Sequence, residues 1–70
     1  MRTTPAALLK NGATLIESKI VNGGAIVLAD CGAERYHRWA TWWMDAYGHT
    51  HQGHYFDSIA EAAQDFAKRR

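Results

Sequence analysis

Seventy residues with eight Lys and Arg against seven Asp and Glu carry a formal charge of +1, far from the cationic excess with which nucleic-acid-binding domains displace counterions. A hydrophobic fraction of 47% with 21% charged residues excludes a disordered chain, although a domain this small buries only about 60% of the surface its unfolded chain exposes and has little core to spare for a deep pocket. The single cysteine, Cys31, excludes an internal disulfide and a thiolate zinc cluster and fits a reducing cytoplasm; there is also no signal-peptide core and no run near the roughly 20 apolar residues of a membrane span.

The expectation is one α+β domain over residues 1–70. Thr4 followed by Pro5 reads as a helix N-cap with proline at the first helical position, so residues 6–10 are expected to form a short helix closed by Asn11 and Gly12. Thr14 to Val21 mixes β-branched and polar residues in near alternation and reads as a strand. Asn22, Gly23 and Gly24 supply the backbone freedom of a tight hairpin, and residues 25–29 continue as a short apolar strand. Residues 30–34 break the pattern. Residues 36–44 are then β-prone through their aromatics and Thr41. A turn over Asp45, Ala46, Tyr47 and Gly48 returns residues 49–56 as a fourth strand.

Ser58 with Glu61 three residues later makes a capping box. Ile59, Ala62, Ala63 and Phe66 follow at the i, i+3, i+4, i+7 spacing of one helix face, and Lys68, Arg69 and Arg70 suit the C-terminal end of the dipole. The expected architecture is a short N-terminal helix, a three- to four-stranded antiparallel meander, and a C-terminal helix packed on one face.

Strand parity sends His37, Trp39, Thr41 and Trp43 one way and Tyr36, Arg38, Ala40, Trp42 and Met44 the other. One helix buries one sheet face. The expectation is that Trp42, with Tyr36, Ala40 and Met44, meets Ile59 and Phe66 in the core. Trp39 and Trp43 then face the N-terminal segment, a second copy or a partner. The candidate partner-binding residues are Trp39, Trp43, His37, Arg38, Tyr47, His49 and His51, because aromatic side chains with a polar handle are enriched at interface hot spots.

His49, His51 and His54 form a Gly-His-Thr-His-Gln-Gly-His string, and imidazole pairs at such spacing can hold zinc or nickel. The string resembles the His-x-His-x-x-His ligand run of metallo-β-lactamase-type hydrolases. Gly53 stands where that run carries its acidic residue, and those enzymes need a longer chain. The histidines are therefore read as solvated turn and edge-strand residues, with no metal and no cofactor. Cys31 has no base partner indicated by spacing, Asp30, Glu34, Asp45 and Asp57 fall at strand ends as turn residues, and Asn-Gly-Gly does not open a helix as a phosphate loop would. No enzyme is expected.

The closing segment from Gly53 to Phe66 resembles the strand, cap and helix ending common to small phage and plasmid proteins, among them anti-CRISPR inhibitors. That resemblance implies a non-enzymatic protein-binding module that covers a surface of a larger complex, working in the cytoplasm of a host cell. Homodimerisation through a sheet edge or the Trp patch is compatible with it. The alternative is a small nucleic-acid binder that stacks Trp39 or Trp43 on bases and sets Arg35, Arg38, Lys68, Arg69 and Arg70 on phosphates.

Overall fold

The computed structural model describes residues 8–69. The chain order is β1 (Thr14–Val21), β2 (Gly24–Asp30), β3 (Trp39–Asp45), β4 (Thr50–Phe56) and α1 (Ile59–Lys68). The strands pair antiparallel in the order β1-β2-β3-β4, a meander with one C-terminal helix. Among the described residues, no helix is long and apolar enough to cross a membrane.

The expected N-terminal helix starts, at residues 6 and 7, outside the described residues. Its described end is not helical: Leu8 bridges Thr14, and Leu9 N–H donates to the Ala13 carbonyl at 2.8 Å. Asn11 Oδ1 accepts from Ala13 N–H at 3.0 Å. This tight loop turns Leu9 and Ala13 onto the sheet, where both are buried.

The third strand begins at Trp39 and not at Tyr36, because hydrogen bonds pin residues 31–38 as a loop. Cys31 N–H reaches the Arg38 carbonyl at 2.7 Å, and Arg35 N–H the Gly32 carbonyl at 3.1 Å. The Arg38 guanidinium forks onto Asp30 through Nε at 3.0 Å and Nη2 at 2.9 Å. That charged fork holds the Asp30 carboxyl below its usual range and closes the loop across the ends of β2 and β3. Tyr36 is left 91% exposed in it.

Helix α1 starts where the sequence places it. Ser58 is extended, and its hydroxyl accepts from Glu61 N–H at 3.1 Å. The Glu61 carboxylate turns back to that hydroxyl, 3.4 Å away. The buried stripe, however, is rotated from the expected one. Ala62 and Phe66 are buried, Ile59 is 42% exposed, and Ala63 faces solvent. Asp65 and Arg69 share the inward side with Ala62 and Phe66, because both bond to Thr41 on β3.

The side on which the helix docks is the reverse of the expected one. Ile26, Leu28, Ala62 and Phe66 form one core cluster, with Trp39, Trp43, Val21 and Phe56 packed against it. Trp42 belongs to a second cluster on the other face with Val27, Ala29, Ala40, Leu9 and Ala13. Strand parity was sound; its sign was not. Thr41, 0% exposed, carries a hydroxyl that needs a buried partner, and Asp65 of the helix supplies it. On the opposite face Ala29 pairs with Ala40, two short side chains that leave room beside the Trp42 indole and the Leu9 loop. Strand β2 is buried on both sides, from Ala25 through Ala29, so its apolar run gives no hint of which side the helix takes.

Candidate functional site

Among the described residues, the loop over residues 9–13 covers part of the sheet face opposite the helix, and a cleft of about 480 Å³ opens beside that loop. Trp42 and Ala13 line its apolar part; Tyr55, Cys31, Arg35, His37 and the loop residues Asn11 and Gly12 line the rest of its wall. Trp42 Nε1 donates to Tyr55 Oη at 3.3 Å, and the two rings meet edge to face with centroids 6.0 Å apart. Opposite Trp42 the register of β4 shifts by a bulge, with Gln52 at φ 54°. A Cβ on the adjacent Gly53 would lie 2.6 Å from both Trp42 Nε1 and Tyr55 Oη. The missing side chain is what lets this aromatic pair lie across the strand. Burial pushes the Cys31 thiol up, only partly offset by Arg35, so it is a protonated, weakly nucleophilic wall of the cleft.

The residues expected to bind a partner do not form one patch. Trp39 and Trp43 are half-buried against the helix-side core. Arg38 lies over the Trp39 ring, 4.6 Å from its centroid, while forked onto Asp30. His37 lines the cleft and pairs with Asp57, Nδ1 to Oδ1 at 2.7 Å. Tyr47, 78% exposed, with His49 and His51, sits at the β3–β4 turn. Of the cleft residues, Tyr55 and Ala13 escape the sequence reading, Trp42 is expected in the core under the helix, and Arg35 is considered only as a phosphate contact. A usable signal was Gly53, a glycine inside a strand beside two aromatics, which marks a close approach.

Each of the four histidines meets an aspartate. Besides His37 with Asp57, His54 Nδ1 lies 2.9 Å from Asp65 Oδ2, and His51 Nε2 lies 3.0 Å from Asp45 Oδ2, with His49 Nδ1 at 3.7 Å. The bulge puts His51 and His54 on one face but beside different carboxylates. Among the described residues, no group of three or more His, Cys, Asp or Glu is arranged to hold a metal ion.

Asp45 is the most strongly perturbed of these acids. The His51 hydrogen bond, then the backbone N–H of His49 and of Tyr47, hold its carboxyl down at about 2, against 3.8 for the free group. A carboxyl depressed on folding stabilises the native state above its unfolded pKa, and that contribution is lost as the pH falls toward the folded value. Asp45→Asn keeps the Oδ1 acceptor that Tyr47 and His49 N–H use but removes the charge. The melting temperature of the wild type is therefore expected to fall more steeply than that of Asp45→Asn between about pH 4 and about pH 2, read by circular dichroism; parallel profiles would refute it.

Asp65 sits in a polar seam under the helix. Burial alone would raise its carboxyl, but the hydrogen bonds from Thr41 and His54 and the charges of His54 and Arg69 outweigh that and hold it low. Thr41 Oγ1 donates to Asp65 Oδ2 at 2.5 Å and accepts from Arg69 Nη1 at 3.1 Å, while the same Nη1 reaches the Thr41 carbonyl at 3.2 Å. Thr41→Val keeps the shape and deletes the hydroxyl. It is expected to cost about 1–3 kcal/mol in urea denaturation, since Asp65 and Arg69 each lose a partner in a partly buried setting. A loss below about 0.5 kcal/mol would mean that water replaces the hydroxyl at no penalty.

Of the five cations that a nucleic-acid surface would use, Arg38 and Arg69 are thus held by Asp30 and Thr41. No protein-family model matches the chain, and neither a curated protein nor a solved structure matches it significantly.

Proposed function

We propose that this chain is a non-enzymatic protein-binding module that lays the open face of its sheet on a larger assembly, as a small mobile-element inhibitor acting in a host cytoplasm would. The observation that carries this reading is the aromatic cleft of about 480 Å³ beside Trp42 and Tyr55. Tyr55 is 53% exposed, and Tyr36, edge-on to the cleft residue His37 at 4.5 Å between ring centroids, is more exposed still. Such residues bring large, rigid contact area at low entropic cost, each with one hydrogen-bonding tip. With Arg35 in the wall, the cleft suits a partner loop that offers an apolar side chain next to a carboxylate. The raised Cys31 thiol and the engagement of His37 by Asp57 fit a binding surface better than a reaction centre.

Affinity capture from a native host lysate tests the reading and locates the working face. The double variant Tyr55→Ala with Arg35→Glu is expected to lose a protein that the wild type retains, while Tyr47→Ala with His49→Ala at the β3–β4 turn keeps it. Loss only in the turn variant would move the site to the turn. Unchanged capture in both folded variants, or no specific capture by the wild type, would overturn the proposal.

A further inference from the structure

Strand β1 is an outer strand of the sheet, and its exposed stretch has a self-complementary order. Read from residue 16 it runs Ile-Glu-Ser-Lys-Ile, apolar and charged in mirror positions about Ser18. Ile16 is 46% and Ile20 86% exposed, unusually open for β-branched aliphatics. Val21 and Gly24 are the pair flanking a two-residue turn, which makes them a hydrogen-bonded pair in such a hairpin, so Ser18 and Ile20 turn their N–H and C=O groups outward. Ile20 pairs with Ala25, and Lys19 pairs with Ile26 of the helix-side cluster. By pairing, Ser18 opposite Val27 and Ile20 opposite Ala25 belong to the open face, and Glu17 and Lys19 to the helix face, while Ile16 is the extra residue of a bulge between Leu15 and Glu17.

We infer that this edge pairs with β1 of a second copy, antiparallel about a two-fold axis through Ser18, to form a homodimer with one continuous eight-stranded sheet. In that register Glu17 lies opposite Lys19 of the second copy on the helix face, a pair that occurs twice, and Ile20 of each copy extends along the partner strand on the open face. A register centred on Lys19 instead opposes two ammonium groups, which disfavours it. Lys19 is already held on the helix side: its Nζ lies 4.9 Å above the Phe66 ring and donates to the Ala67 carbonyl at 3.3 Å. The axis is perpendicular to the sheet, so both helices fall on one side and both clefts on the other. The rival occupant of the edge is the N-terminal segment over residues 1–7, because Leu8 already bridges Thr14 at the start of β1.

The test uses the full chain and reads register as well as stoichiometry. Strand-edge pairing alone is smaller than a standard interface, so dissociation constants on the order of 10 µM are expected, and sedimentation at about 100 µM is the measurement. Glu17→Lys sets like charges opposite each other twice and is expected to weaken the dimer at least about tenfold. Exchange of both residues, Glu17→Lys with Lys19→Glu, restores opposite charges across the axis and is expected to recover the dimer. In a Cys31→Ser background, Ser18→Cys places two thiols astride the axis, where hydrogen-bonded partners lie about 5.5 Å apart between Cα atoms, within disulfide reach. It is expected to cross-link under mild oxidation, and Lys19→Cys is not. Dimerisation with this pattern supports the proposal. A monomer at every concentration, or equal cross-linking at both positions, overturns it. Slow amide exchange at Ser18 and Ile20 in such a monomer would assign the edge to the N-terminal segment.

Discussion

Phe66→Ala is expected to lower the melting temperature by about 15–30 °C, the largest effect of any single truncation in the helix. The side chain is 8% exposed and closes the helix-side cluster over Ile26 and Leu28. Truncating a buried Phe costs about 3–5 kcal/mol, because the lost transfer free energy is joined by that of an unfilled cavity. A chain of this length has roughly 4–10 kcal/mol in all. The loss therefore approaches the stability of the whole fold. The helix lies against β2, β3 and β4, with the Lys19 side chain of β1 reaching its last turn, and its other buried apolar side chain is Ala62, too small to hold it alone. Ile59→Ala, at the position expected to be core but partly exposed, should cost less than about 1 kcal/mol. Thermal melts of the two variants by far-ultraviolet dichroism check this. Equal shifts would mean that the stripe includes Ile59 after all.

Gly24→Ala is expected to cost about 3 kcal/mol, at the upper end for a single added methyl. Gly24 opens β2 opposite both Val21 and Asp45. A Cβ there would collide with the Met44 carbonyl oxygen and lie 2.9 Å from Trp43 Cζ2. The indole could swing away. The carbonyl cannot, because it belongs to the backbone of β3. Relief thus requires β2 and β3 to separate at this end or the hairpin to shift, exposing Trp43 in either case. Urea denaturation followed by Trp fluorescence should show a lower midpoint and a red-shifted native emission. A native spectrum and midpoint equal to those of the wild type would mean that the two strands lie farther apart at Gly24 than described.

Local signals made much of this fold legible. Val21-Asn-Gly-Gly24 announced its hairpin through turn chemistry, and the turn does rest on Gly23 at φ 85°. Ser58 and Glu61 announced the helix start because a cap is an interaction among neighbours. The docking side was not legible, since alternation along β3 sorts Trp39, Thr41 and Trp43 from Ala40 and Trp42 without saying which set meets the helix. That choice rests on Thr41 with Asp65, 24 residues apart, a contact that no window on the sequence contains. The same applies to the candidate site. Trp42 and Tyr55 are 13 residues apart, and His37 and Asp57 are 20 apart. The histidine string reads as solvated turn and edge-strand residues, and its spacing does not reveal the aspartates that each histidine meets in the tertiary structure.

The two outer strands of the sheet are unequal, and that inequality sets how far assembly can go. Strand β4 is broken near its middle by the bulge at Gln52, with φ 54°, whereas the bulge of β1 lies toward its start and leaves Glu17 to Val21 in unbroken register. A building block with two matching adhesive ends polymerises; one with a single such end can only pair off. In the proposed dimer a kinked β4 lies at each outer boundary of the joined sheet, so the second copy would also be the last, and association through β1 would saturate at two chains instead of propagating into a fibre.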